Sequence, residues 1–108
     1  MYLLSRSEEI VLVAVWKLRE DAYGVTIRDH INQTIGYEWS VGAIYAPLHR
    51  LEKKGLVRTK KGEPTSERGG RSKIYYEVTE EGKKALHQMK RIHEAIWQDA
   101  PTLGYKKS

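Results

Sequence analysis

Residues 40–82 read SVGAIYAPLHRLEKKGLVRTKKGEPTSERGGRSKIYYEVTEEG. Ser40 is a good helix cap, and Val41, Ile44, Leu48 and Leu51 recur at the spacing of one helix face. That placing puts Gly42, Ala46, His49, Arg50 and Lys53 on the opposite, solvent side. Gly55 ends the helix. From Leu56 to Lys61 the chain alternates apolar and polar as a strand does. Gly62 to Arg71 is a loop rich in glycine and charge, and Lys73 to Val78 (KIYYEV), β-branched and aromatic, is the return strand. A helix followed by two short strands and the loop between them describes a winged helix. Pro47 is the discordant residue, since proline inside a helix lacks a donor and clashes with the preceding turn. A kink or a later helix start at that point would accommodate it.

Charge follows the same segment. Between Arg50 and Lys73 stand nine basic and three acidic residues, a local +6, while the rest of the chain carries −1. The net charge of +5 therefore resides on one segment, beside the predicted helix. A concentrated cationic patch of this kind suits a phosphate backbone. The front of the outward face is small, which lets a helix backbone approach a major groove closely. The candidate DNA-contacting residues are Ser40, Gly42, Ala43, Tyr45, Ala46, His49, Arg50 and Lys53 on the helix, and Lys60, Lys61, Arg68, Arg71 and Lys73 on the hairpin. For Tyr45 the alternative is a half-buried rim residue, and for His49 plain solvent exposure. The pair Arg68 and Arg71 around two glycines reads either as a groove contact or as a solubilising turn.

Working outward, Ser5 and Glu8 fit a capping box that opens a first helix from Ser5 to Arg19. Its run from Ile10 to Trp16 is apolar on every face. It is either a central core helix or one that packs on the domain with one side and on a second subunit with the other. A second helix is expected to open at Thr26, with Asp29 three residues on, and to present Ile27, Ile31 and Ile35 on one face before Gly36 stops it. Thr79 caps a last helix of ~19 residues, ~28 Å long, which Pro101 is expected to end. Leu86, Met89, Ile92, His93, Ile96 and Trp97 form its wide apolar face. The expected division is residues 1–79 as an α+β DNA-binding unit, 80–100 as a long C-terminal helix, and 101–108 as a flexible tail.

The chain of 108 residues, 40% hydrophobic, suits one domain. It has no cysteine, which excludes disulfides and thiol chemistry and fits a cytoplasmic location. No apolar run approaches the ~20 residues of a membrane span, so no membrane partner is expected. The four histidines match no metal-ligand spacing, and no nucleophile–base arrangement or phosphate-binding loop stands out. Neither catalysis nor a metal or other cofactor is expected. The rival to DNA binding is a winged helix used as a protein-interaction module.

The matching residues are Tyr23-Gly24, Gly42, Ile44-Tyr45, Leu48, Arg50-Leu51-Glu52, Lys54-Gly55-Leu56-Val57, Gly69–Arg71, Tyr75-Tyr76 and Val78-Thr79-Glu80-Glu81-Gly82. On these the chain resembles the PadR-like transcriptional regulators, bacterial winged-helix repressors, over roughly residues 7 to 97. Many members carry Thr after the glycine and Pro after the tyrosine, where this chain has Ala43 and Ala46 and sets its proline at 47. The resemblance implies three N-terminal helices, a two-stranded wing and a single C-terminal dimerisation helix, hence a short-type homodimeric regulator of double-stranded DNA. It implies a subunit interface between the C-terminal helix and the first helix. The residues placed there are Ile10, Val13, Trp16, Leu86, Met89, Ile92, His93, Ile96 and Trp97. It also implies a small flat aromatic effector held against Trp97, unless Trp97 is only an interface anchor.

Overall fold

The computed structural model describes residues 3–62 and 73–104. The order is α1 (Arg6–Leu18), a 3-10 turn (Arg19–Asp21), α2 (Gly24–Ile35), α3 (Val41–Lys53), β1 (Val57–Lys61), β2 (Ile74–Val78) and α4 (Glu80–Trp97). The strands are antiparallel, with Val57 opposite Val78 and Lys61 opposite Ile74. Together these make an α+β winged-helix fold. The loop assigned to residues 62–71, with Arg68 and Arg71, lies outside the described residues beyond Gly62.

Helices α1, α2 and α3 enclose the core. Val11, Leu12 and Val15 meet Ile27 and Ile31, and Ile44, Leu48 and Leu51 close the third side. Burying an aliphatic side chain of this size contributes roughly 1.5–3 kcal/mol, so this cluster fixes the relative placement of the helices. Val57 and Leu56 anchor the hairpin's inner end to the same core. Ser5 caps α1 in a full capping box: Glu8 N donates to Ser5 Oγ (3.2 Å) and Ser5 N to Glu8 Oε1 (2.9 Å).

Four boundaries and faces differ from expectation. Helix α2 opens at Gly24, not Thr26. Thr26 lies in the first turn and takes a hydrogen bond from Tyr23 N (3.0 Å), because Tyr23 is held extended by a β-bridge to Tyr75. Ile35 is 38% exposed rather than in the core, since α2 ends there and Gly36 turns the chain away at φ 74°. Pro47 neither delays nor breaks α3. Its ring lies on the buried face with Ile44, Leu48 and Leu51, at helical spacing, so apolar burial offsets part of the lost helical hydrogen bond. Finally, α4 stops at Trp97, ahead of Pro101: Gln98 leaves the helix and Asp99 takes a left-handed φ of 58°.

The exit from α3 leads straight into the hairpin. Gly55 adopts φ 76°, Gly55 N donates to Glu52 O (2.9 Å), and Leu56 N donates to Leu51 O (2.9 Å). This is the paired-bond helix stop that a left-handed glycine permits. Leu51 and Leu56 are both buried beside it. It turns the chain directly from α3 into β1, so the hairpin is tied to the end of that helix.

Candidate nucleic-acid interface

Helix α3 divides cleanly. Ile44, Pro47, Leu48 and Leu51 are buried, whereas Gly42, Ala43, Tyr45, Ala46, His49, Arg50 and Lys53 are exposed. Ser40 caps it, its Oγ accepting from Ala43 N at 3.1 Å. Asn32 fixes the approach from α2: its Nδ2 donates to Trp39 O (3.1 Å) and its Oδ1 accepts from Trp39 N (2.8 Å). The face offered to solvent is thus small at the front, polar behind, and held by caps at both ends.

The cations nearby are not equivalent. Arg50 Nε donates to Glu8 Oε2 (3.1 Å) and its Nη2 to Ser7 Oγ (3.3 Å), while Lys54 Nζ reaches both Glu8 oxygens at 3.0 and 2.9 Å. Arg50 remains exposed, but its guanidinium is turned toward the start of α1. Glu8 is buried. Burial alone would push its carboxyl up, yet the Ser5 amide, the hydrogen bonds from Lys54 and Arg50 and the Lys54 charge together hold it at about 2, below the usual 4.5. On the hairpin Arg58 pairs with Glu77, which lowers the Glu77 carboxyl. Lys53, Lys60 and Lys61 are exposed and make no salt bridge among the described residues.

A second cluster joins α3 to the hairpin. The Tyr45 ring lies over the start of α2, where a Cβ on Gly24 would fall 2.6 Å from the Tyr45 hydroxyl. The next residue back, Tyr23, meets Tyr75 edge to face with ring centroids 5.3 Å apart. Lys73 Nζ sits 4.4 Å from the Tyr23 ring centroid and donates to its hydroxyl at 3.3 Å. On β2, burial raises the Tyr76 hydroxyl above its ordinary value, and the nearby Tyr45 and Glu52 raise it further.

The residues assigned to a subunit interface fall into two groups. Met89 is buried and Leu86 partly buried against the chain's own core. Ile10, Val13 and Ile92 are half-buried, His93 is exposed with its Nε2 2.6 Å from Glu9 Oε2, and Ile96 and Trp97 are 65% and 58% exposed. Trp16 is 38% exposed, flanked by Arg19 and Lys83 at 5.2 and 5.7 Å from its ring.

The sequence matches the transcriptional regulator PadR-like family across residues 11–88. The chain belongs to the PadR-like family. It is therefore a transcriptional regulator, of a DNA-binding kind, and not an enzyme. Similar solved structures include a PadR family transcription regulator from Clostridium difficile, at 23% identity, 87% of this chain, 96% of that one and a TM-score of 0.68. A transcriptional regulator from Clostridium thermocellum shares 26% identity over 84% of this chain and 85% of the other, with a TM-score of 0.67. A PadR-like regulator from Bacillus cereus shares 23% identity over 84% of both, with a TM-score of 0.66. No curated protein matches. No helix among the described residues is long and apolar enough to cross a membrane.

Two features of this PadR-like regulator escaped sequence reading. Glu8 showed only its capping role, because its partners lie 42 and 46 residues away. Tyr23 sits in a one-residue bridge that leaves no periodic signal. A tyrosine next to a glycine at a helix start was the available clue.

Proposed function

We propose that this regulator acts in the cytoplasm as a homodimeric repressor on a palindromic operator. Each protomer lays α3 in a major groove, with Gly42, Ala43 and Ala46 giving close approach and Ser40, Tyr45 and His49 reaching base edges or phosphates. Lys53, Lys60, Lys61 and Lys73, with Arg68 and Arg71, hold the flanking backbone, and Arg50, engaged by Glu8, fixes α3 beside it. The two recognition helices stand about one helical turn apart, ~34 Å. The observation that carries this reading is the division of α3: a fully buried apolar face and an outer face left small, polar and cationic.

Dimerisation draws support from α4. Its apolar stripe begins on the chain's own core at Ala85 and Met89 and continues through half-buried Ile92 onto Ile96 and Trp97, which the single chain leaves largely open. A second copy pairing there, against Ile10, Val13 and Trp16, would cover it. A flat aromatic effector held at Trp97 would act on operator binding through that contact.

Selection from random duplexes, followed by gel shift across a salt series, tests the reading. A palindromic consensus bound two chains at a time, with affinity falling steeply as salt rises, is the expected result. Absence of any duplex binding would overturn it in favour of a protein-interaction module.

A further inference from the structure

An antiparallel pair of five-residue strands has little stability of its own. Among the hairpin's described strand residues only Val57, at the inner end, is buried in the core. The outer end carries Lys60, Lys61, Ile74 and Lys73, all exposed. Something must set its direction. The backbone supplies part: Tyr76 N donates to Ala22 O (2.8 Å), and Tyr23 bridges Tyr75. Gly62 N closes the outer end on Lys73 O (2.8 Å).

The side chains supply the rest, as a continuous stack. Tyr75 lies so close over Gly62 that a Cβ there would fall 2.6 Å from its ring. Tyr75 also meets Tyr23 edge to face, and Tyr23 carries Lys73 on its ring. The stack therefore touches β2, the residue that follows β1 and the first residue before α2. One residue further, Gly24 receives the Tyr45 hydroxyl from α3. Tyr23-Gly24 is the point at which the outer half of the hairpin and the recognition helix share a support.

We propose that Tyr23 is a positioning residue: its ring clamps the outer half of the hairpin to the start of α2 and so sets where Lys60, Lys61 and Lys73 stand relative to α3. This rests on the DNA-binding reading of α3. The consequence is specific. Deleting the ring leaves α3 able to read its bases while the hairpin cations lose their register on the flanking backbone.

The backbone bonds of Ala22 and Tyr23 do not need the tyrosine ring, so Tyr23→Leu removes the clamp and leaves the bridge. Amide exchange at Gly62 and Tyr76 in the free protein should rise about tenfold, the scale of one lost aromatic pair. Hydroxyl-radical footprints on the selected operator should keep the central protections and lose the outer ones, with affinity down about tenfold. Tyr23→Phe keeps the ring pair and the seat for Lys73, and should restore the outer protections. Gly62→Ala attacks the stack from the far side, by pushing Tyr75, and should reproduce the Tyr23→Leu footprint even if Tyr23→Leu folds poorly. Outer protections and slow exchange retained in Tyr23→Leu or Gly62→Ala would overturn the clamp. A wild-type chain that protects no duplex would overturn the reading beneath it, and the proposal with it.

Discussion

Replacing Glu8 with glutamine separates the two jobs this residue performs. The amide keeps the shape and an oxygen for the Ser5 N–H, so the capping box of α1 survives. What disappears is the charge facing Arg50 and Lys54. The carboxyl held at about 2, against an ordinary 4.5, corresponds to about 3 kcal/mol of stability at roughly 1.4 kcal/mol per tenfold in proton affinity. Solvent reaches both cations, whose side chains are 46% and 41% exposed, but the carboxylate is 4% exposed, so screening removes only part of this. A depressed folded-state value stabilises fully above pH 4.5, progressively less as pH falls from 4.5 toward 2, and not at all below 2. Urea unfolding at fixed protein concentration should show Glu8→Gln about 2–3 kcal/mol less stable at pH 7, with the gap closing between pH 4.5 and 2. Parallel stability curves for the two proteins across that window would refute the reasoning.

The same pairing makes neighbouring lysines behave differently: Lys53→Ala should lower the salt slope of operator binding by about one per protomer, whereas Lys54→Ala, already engaged by Glu8, should leave the slope nearly unchanged and cost stability instead. A gel-shift salt series on both variants checks this. Gly82→Ala gains up to about 1 kcal/mol of helix propensity. Its new Cβ, however, would overlap the Leu56 carbonyl oxygen and crowd Val78. The net loss should be about 2 kcal/mol, a fall in melting temperature of roughly 10 °C, read by calorimetry. Ile96→Glu leaves the protomer's own core intact, since Ile96 is exposed there, but places an unpaired charge in the proposed subunit contact. Sedimentation should show the dimer dissociating at least about 100-fold more readily, and an unaltered dimer would count against that contact.

Helix α3 was legible because its signals are local and agree. Ser40, the stripe of Ile44, Leu48 and Leu51, and Gly55 all lie within one helix length, and each residue does in the structure what its type does elsewhere. The hairpin followed from composition in the same way. Legibility failed where the cause was distant or the pattern ambiguous. Thr26 is a common capping residue, but it sits two positions inside α2, because Tyr23 is fixed by pairing to a strand some fifty residues on. Ile35 continues a perfect stripe to the end of a helix, beyond which there is no core left to meet. Pro47 obeyed the apolar pattern against its own propensity, since its ring fills a place between Ile44 and Leu51 that burial rewards.

Charge shows the same limit in a form that bears on function. Counted along the chain, nine basic residues between Arg50 and Lys73 look like one uniform patch. Among the described residues three of them are held by carboxylates of the same chain: Arg50 and Lys54 by Glu8, and Arg58 by Glu77. If all nine released counterions, operator binding would carry a slope of about eight per protomer; withdrawing these three lowers it to about five. On the DNA-binding reading proposed above, the pairs thus reduce attraction to any duplex whatever its sequence, while they fix the helix proposed to read bases. Non-specific affinity falls and the small outer face of α3 gains weight in the choice of site, which is what discrimination against a large excess of competing DNA demands. A Glu8→Gln protein should accordingly bind random DNA more tightly and prefer its operator less, the opposite of a variant that has merely lost stability.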